Sequence, residues 1–143
     1  MTKIVVGVDG SEESQAALNW AYDEARQRGS ELDVVHAWTY PYQGPRTGVT
    51  EPRDLMELDA AKALEQTMTR LHRDRAGASA GVTTHAHVRE GNPADVLVQE
   101  SKDAELLVVG SRGRGGFASL LLGSVSTAVT HHASCPVVVV RPD

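Results

Sequence analysis

Apolar residues along this chain form short unbroken runs separated by longer stretches with helical spacing. The short runs predict buried strands at Lys3–Asp9, Leu32–Trp38, Leu106–Val109 and Val137–Val140. A fifth stretch, Val82–Val88, alternates apolar and polar residues, which is typical of a half-buried strand near the edge of a sheet. The pattern therefore predicts five strands.

Two long helices are predicted in the first half of the chain. Ser11 and Gly29 supply the start and stop signals of the first helix, which reaches about Arg28. The second helix covers about Arg53 to Arg75. Its predicted apolar face consists of Leu55, Leu58, Ala61, Leu64, Met68 and Leu71.

Two shorter helices are predicted in the second half. One begins with Asn92 as its N-cap and Pro93 in its first position, and the other runs from Ser124 to about Ala133. Strands and helices alternate throughout residues 1–143. We therefore predict a single domain with a doubly wound, Rossmann-like α/β fold, in which helices cover both faces of a parallel sheet.

A glycine-rich segment joins the fourth strand to the fourth helix. Its glycines let an anion approach main-chain N–H groups, and its arginines add positive charge. The first turn of the following helix offers unpaired N–H groups and hydroxyl groups, where a phosphate would bind. The residues are Gly110, Arg112, Gly113, Arg114, Gly115, Gly116, Gly123, Ser124, Ser126 and Thr127. The segment predicts a phosphate-binding site; the alternative is a tight connection without a ligand.

The spacing of these glycines excludes two common nucleotide motifs. No Gly-Lys-Ser or Gly-Lys-Thr follows the first glycine, and no compact Gly-x-Gly-x-x-Gly follows the first strand. Instead, Gly110 and Gly113 are followed after nine residues by Gly123 and Ser124. This spacing resembles the G-x2-G-x9-G-(S/T) signature of the ATP-binding universal stress proteins. The resemblance covers essentially the whole chain, including the Val-Gly-Val-Asp first strand and the Cys-Pro-Val-Val-Val-Val tail.

The resemblance implies both a strand order and a ligand. In the order 3-2-1-4-5, the first and fourth strands are neighbours, and their carboxyl ends flank a crevice where ligands bind. The family binds ATP across this crevice, and a small apolar residue such as Ala37 lines its adenine pocket. The implied binding residues are Gly7, Val8, Asp9, Ala37, Gly110, Ser111, Arg112, Gly113, Arg114, Gly115, Gly116, Gly123, Ser124, Val125 and Ser126.

Asp9 has two possible roles on sequence alone. A carboxylate beside phosphates would repel them, so we expect either a Mg²⁺ ion between them or a contact with the base or ribose. The alternative is an aspartate that caps the turn after the first strand. Arg112 and Arg114 either donate charge-assisted hydrogen bonds to phosphates or are solvated.

Composition narrows the range of partners. The chain has a formal net charge of −5, which argues against broad nucleic-acid binding because that requires a basic face. Its single cysteine excludes an intrachain disulfide, and no apolar run approaches membrane-spanning length. We expect a cytoplasmic protein that binds neither nucleic acid nor membrane.

The sequence shows no pattern that points to catalysis. It contains no evident general base, no nucleophile with a paired histidine and no metal-ligand set. We expect a nucleotide-dependent sensor or switch with an unidentified protein partner, and the resemblance implies a role in stress adaptation. A dimeric scaffold without nucleotide binding and a slow ATPase are the alternatives.

Two further segments have expected roles. The resemblance implies a homodimer through the strand Val137–Val140, and an edge strand has unpaired backbone groups that suit such pairing. Residues Thr39–Pro52 contain three prolines and two glycines and predict a long loop. This loop is either a lid over the crevice or a mobile crossover.

Overall fold

The chain folds around one parallel sheet. The computed structural model describes residues 2–40, 52–77, 81–112 and 122–141. Its strands are β1 Lys3–Val8, β2 Glu31–Trp38, β3 Thr84–Glu90, β4 Leu106–Gly110 and β5 Val137–Val140. They lie in the order β3-β2-β1-β4-β5, and each neighbouring pair is parallel. The predicted doubly wound α/β fold and its strand order are confirmed.

Helices cover both faces of this sheet. Within the described ranges they are α1 Glu12–Arg28, α2 Arg53–Asp74, α3 Pro93–Glu100 and α4 Ser124–His132. Buried residues of α1 and α2 pack with alternate strand residues in one apolar cluster, and those of α3 and α4 pack in a second cluster. Val6 of β1 therefore faces α1 and α2, whereas Val5 and Gly7 face α3 and α4.

Local hydrogen bonds explain where α1 and α3 begin. The Ser11 hydroxyl oxygen accepts the Ser14 N–H at 3.1 Å, and the Asn92 side-chain oxygen accepts the Asp95 N–H at 3.2 Å. At the other end of α1, Gly29 adopts a left-handed conformation with φ +67°. These predicted start and stop signals are confirmed.

The predicted apolar face of α2 is only partly right. Its buried positions are Ala60, Leu64, Thr67 and Leu71. Leu55 and Leu58 are 49% and 47% exposed. At 100° per residue, Leu55 lies about 140° around the helix from Ala60. The side of the helix that carries Leu55 therefore cannot face the sheet together with the buried side that carries Ala60. The buried side of α2 includes a threonine, Thr67. A prediction from apolar spacing alone therefore placed the wrong side of the helix start against the sheet.

Charged side chains join α1 to α2 near the surface. Arg75 donates two hydrogen bonds of 2.8 Å to the carboxylate of Asp23, and Arg70 donates one of 2.9 Å to Glu12. The hydrogen bond from Arg70, together with its charge, holds the pKa of the Glu12 carboxyl below its ordinary value. Exposed ion pairs contribute little to the free energy of unfolding. We therefore expect these contacts to orient α2 against α1 more than to stabilise the fold.

The long loop predicted over Thr39–Pro52 lies mostly outside the described residues. At its described ends, the guanidinium carbon of Arg53 lies 4.6 Å from the ring centroid of Tyr40, and Arg53 also pairs with Glu90. These contacts hold the start of α2 close to the ends of β2 and β3. The role of the loop stays a prediction, as does the extent of a single domain over residues 1–143.

Leu107→Ala is expected to lower the free energy of unfolding by about 3 kcal/mol. Leu107 has no exposed surface and belongs to the second cluster with Val5, Val35 and Leu97, so a shorter side chain leaves a cavity. Urea denaturation followed by circular dichroism measures the change. The matched control, Leu55→Ala, removes the same atoms at an exposed site and should cost less than about 0.5 kcal/mol. Equal losses would contradict the burial of Leu107.

Candidate functional site

A cavity of about 270 Å³ lies at the carboxyl edge of the sheet, on the face covered by α3 and α4. It is lined by the ends of β1, β2 and β4 and by the starts of α3 and α4. β1 and β4 are neighbours although two strands and three helices separate them in sequence, so the winding of the chain reverses here. Ligands of doubly wound folds bind at such a point, which makes this cavity the candidate site.

Most of the predicted binding residues come together around this cavity. Those that line it are Gly7, Val8, Asp9, Ala37, Gly110, Arg112, Gly123, Ser124, Val125 and Ser126. Ser111 is buried, with 2% of its surface exposed. Gly113, Arg114, Gly115 and Gly116 lie outside the described residues. The cavity thus joins segments that are far apart in sequence.

Part of the apolar wall consists of residues that the sequence did not predict. The additional lining residues are Val35, Pro93, Leu97 and Val109. Val35 precedes Ala37 by two residues and shares its face of β2, so strand periodicity could have identified it. Pro93 and Leu97 lie one turn apart on α3, and no signal in the sequence indicates that this helix borders the crevice.

Gly110 allows a close approach of α1 to the sheet. A Cβ atom at this position would lie 3.0 Å from the carbonyl oxygen and 3.1 Å from the carbonyl carbon of Glu13. These are backbone atoms in the first turn of α1, which cannot move aside as the end of a side chain can. Gly110 does not adopt a positive φ. Its role in the fold is therefore to leave room for helix packing, in addition to its place in the cavity wall.

The carbonyl group of Ser111 holds the start of α4 at the cavity. It accepts hydrogen bonds from the Gly123 N–H at 2.6 Å and from the Ser126 hydroxyl at 2.8 Å. The Ser111 N–H donates to the Val140 carbonyl oxygen at 2.9 Å, so the same residue is tied to β5. The Ser126 hydroxyl, which the sequence predicts as a ligand contact, therefore donates within the protein and orients the first turn of α4.

The first turn of α4 lines the cavity. The helix begins at Ser124, as the sequence predicts. The hydroxyl of Ser124 also makes this residue a candidate N-cap in the sequence, but the N-cap is Gly123, in extended conformation and without a capping side chain. The N–H groups of Ser124, Val125 and Ser126 have no acceptor within the helix, and they lie at the positive end of its dipole.

Two charged side chains, Asp9 and Arg112, line the described part of the cavity. Asp9 Oδ1 accepts the Ser11 N–H at 2.9 Å, and the Asp9 N–H donates to the Ser14 hydroxyl oxygen at 3.2 Å. The carboxylate therefore caps the turn before α1, one of its two predicted roles, while it also borders the cavity. Arg112 is half-buried and follows Ser111, the residue that holds α4.

The described ranges contain neither a metal-binding cluster nor a membrane-spanning helix. No three or more His, Cys, Asp and Glu side chains among these residues are grouped so that they could hold a metal ion. None of the helices there combines the length and the apolar character that crossing a membrane requires. In its described lining, the cavity offers a ligand a helix N-terminus, a guanidinium group and an apolar wall.

The fold and the cavity define a doubly wound α/β protein with a ligand-sized site at its switch point. The chain belongs to the universal stress protein family, whose model matches residues 1–141. A universal stress protein of Mycolicibacterium smegmatis is 39% identical over 141 residues, which cover 97% of this chain and 45% of that protein. The chain thus spans about half the length of the curated relatives it matches.

Solved structures of similar fold include some with a bound nucleotide. The universal stress protein from Archaeoglobus fulgidus in complex with dAMP is 26% identical, with a TM-score of 0.71 and 98% of each chain covered. A universal stress protein in complex with cAMP is 27% identical, with a TM-score of 0.70, and the match covers 98% of this chain and 96% of that one. Both are similar to this chain over nearly its whole length.

Proposed function

We propose that this protein binds ATP with Mg²⁺ and acts in the cytoplasm as a nucleotide-dependent sensor or switch in stress adaptation. The observation that carries the proposal is the start of α4 beside an apolar wall in one cavity. A nucleotide has two ends that match these features: a charged phosphate, and a flat aromatic base whose faces are apolar. The relatives solved with dAMP and cAMP support the class of ligand, since both molecules contain adenine and a phosphate.

We place the phosphates of the nucleotide at the start of α4. Ser124, Val125 and Ser126 line the cavity, and their main-chain N–H groups lie at the positive end of the helix dipole, which favours an anion. Arg112 lines the same cavity and could donate charge-assisted hydrogen bonds. Gly123 adds no side chain that would fill the space beside these groups.

We place the base of the nucleotide against the apolar wall formed by β2 and α3. Val35 and Ala37 of β2 lie across from Pro93 and Leu97 of α3, and none of these side chains carries a polar atom. The cavity volume of about 270 Å³ lies just below the range of about 300–1,000 Å³ for ligand pockets. An apolar slot of this kind suits a planar base better than a sugar or a charged group.

The residues present also fit a Mg²⁺ ion that arrives with the nucleotide. Asp9 borders the cavity, and protein-bound Mg²⁺ commonly uses one or two carboxylates together with substrate phosphates. Such an ion would neutralise phosphate charge next to Asp9. We propose binding without efficient catalysis, because the described lining contains no nucleophile with a paired base.

Thermal unfolding of the nucleotide-free protein tests the proposal. ATP with Mg²⁺ at 100 times its Kd should stabilise the protein by about 2.7 kcal/mol and raise its Tm by roughly 8 °C. GTP with Mg²⁺ at the same concentration is the control and should raise the Tm less. The absence of a shift with ATP, ADP and AMP alike would contradict nucleotide binding and favour a scaffold.

We also propose that two copies of the chain pair through β5. This strand is at one edge of the sheet, beside β4 only. Its four residues are valines that are half-buried. An edge strand of this kind exposes unpaired backbone groups, and a second β5 would satisfy them.

A further inference from the structure

The side chain of Leu97 forms part of the floor at the apolar end of the cavity. If Gly7 carried a Cβ atom, that atom would lie 2.5 Å from Leu97 Cδ1, 3.0 Å from Cδ2 and 3.3 Å from Cγ. All three outer carbons of Leu97 therefore lie against the bare Cα of Gly7. The absent side chain in β1 is what allows α3 to seat Leu97 on the sheet.

Leu97 separates the cavity from the core behind it. It lines the cavity, yet only 4% of its surface is exposed and it belongs to the second apolar cluster. Val35 is paired with Gly7 in the register of β1 and β2, and it lines the cavity as well. Leu97 and Val35 thus lie where the cavity meets the core.

We propose that Leu97 is a specificity-determining residue that sets the depth of the base end and excludes bases with a bulky apolar substituent. The inference rests on the proposed function, because it takes the apolar end as the place of the base. Val35 and Val109 stand on strands, and their Cβ atoms are fixed by the sheet. Leu97 reaches the sheet from the opposite wall, so its length determines how deep a base can enter.

The test compares wild-type protein with Leu97→Ala. The ligands are ATP and three ATP analogues that carry a benzyl group on N6, C2 or C8 of the base. Wild-type protein should bind the analogue whose benzyl group points at the floor at least about tenfold more weakly than ATP, as expected for a pocket that is too small at that end. Leu97→Ala should bind the analogue whose benzyl group points at the floor at least about tenfold more tightly than wild type does. Calorimetry measures the affinities.

Leu107→Ala is the matched control for this experiment. It removes the same atoms from the same apolar cluster, but Leu107 does not line the cavity. An increased affinity for an analogue in Leu97→Ala, but not in Leu107→Ala, supports the inference. The inference fails, and the proposed function stands, if wild type binds ATP but Leu97→Ala binds no analogue more tightly than wild type does. The same holds if Leu107→Ala shows an equal increase in affinity for the analogue. If wild type binds no adenine nucleotide, both fail.

A second measurement tests the seating of Leu97 without any ligand. Gly7→Ala alone forces its methyl group against Leu97, so the urea midpoint should fall. In the background of Leu97→Ala that space is empty, and adding Gly7→Ala should leave the midpoint nearly unchanged or raise it. Effects of residues in direct contact are not additive. Additive shifts in the double variant would overturn the inference, since Leu97 would then not lie on Gly7.

Discussion

Gly123→Val is expected to weaken ATP binding at least about 100-fold, which corresponds to about 2.7 kcal/mol. Gly123 is buried at the N-cap of α4 and lines the cavity, so a branched side chain occupies space beside the N–H groups assigned to phosphate. Its φ of −81° and ψ of 178° are angles that valine adopts readily, and the fold should therefore form. Calorimetry measures the affinity, and circular dichroism checks the fold.

Gly81→Val is the matched control for the loss of ATP binding. A Cβ atom at Gly81 has no neighbour within 4 Å, so this variant should bind ATP as wild type does. Gly123→Ala adds a single methyl group and should give an intermediate loss, which keeps the site testable if the valine variant does not fold. Unchanged affinity in a folded Gly123→Val protein would contradict the assignment of phosphate to α4.

Val139→Pro is expected to convert the proposed homodimer to a monomer. The carbonyl oxygens of Pro136 and Val140 accept hydrogen bonds from the N–H groups of Leu107 and Ser111, on the β4 side. Successive residues of a strand direct their backbone groups to opposite sides, so those of Val139 point to the open edge. Proline removes that outward N–H and leaves the bonds to β4 in place. Size-exclusion chromatography with light scattering measures the mass.

Two other substitutions in β5 complete the dimer experiment. Val139→Ala shortens the same side chain but keeps the N–H, and it should remain a dimer. Val138→Pro removes an N–H on the β4 side and should instead lower the stability of the monomer itself. A Val139→Pro protein that still elutes with the mass of a dimer would show that pairing uses another surface.

The parts of the fold that sequence predicts well are those with local causes. Ser11 and Gly29 mark the ends of α1 because a hydroxyl oxygen and a left-handed glycine act within one turn of the helix. The limits of β5 follow directly from its unbroken run of valines. The rotation of α2 has no local cause, since it depends on where the sheet lies, and Leu55 and Leu58 were therefore assigned to the wrong face.

Some residues of the candidate site can likewise be predicted from the sequence, and others cannot. Residues at strand tips, such as Gly7, Asp9 and Gly110, could be grouped in advance because the carboxyl ends of parallel strands meet at one edge. Leu97 could not, because its place depends on how closely α3 approaches β1. That distance is set by the missing side chain of Gly7, a pairing between residues 90 positions apart that no spacing rule in the sequence reveals.

Ser111 connects the proposed nucleotide site to the proposed pairing edge through a single residue. Its carbonyl holds the first turn of α4, and its N–H holds Val140 at the end of β5. A ligand that shifts the start of α4 would therefore act on the strand that pairs two copies. Thermodynamic linkage then requires reciprocity: if nucleotide strengthens pairing by some factor, pairing strengthens nucleotide binding by the same factor. The abundance of the protein in the cell would in that case set the nucleotide concentration to which it responds.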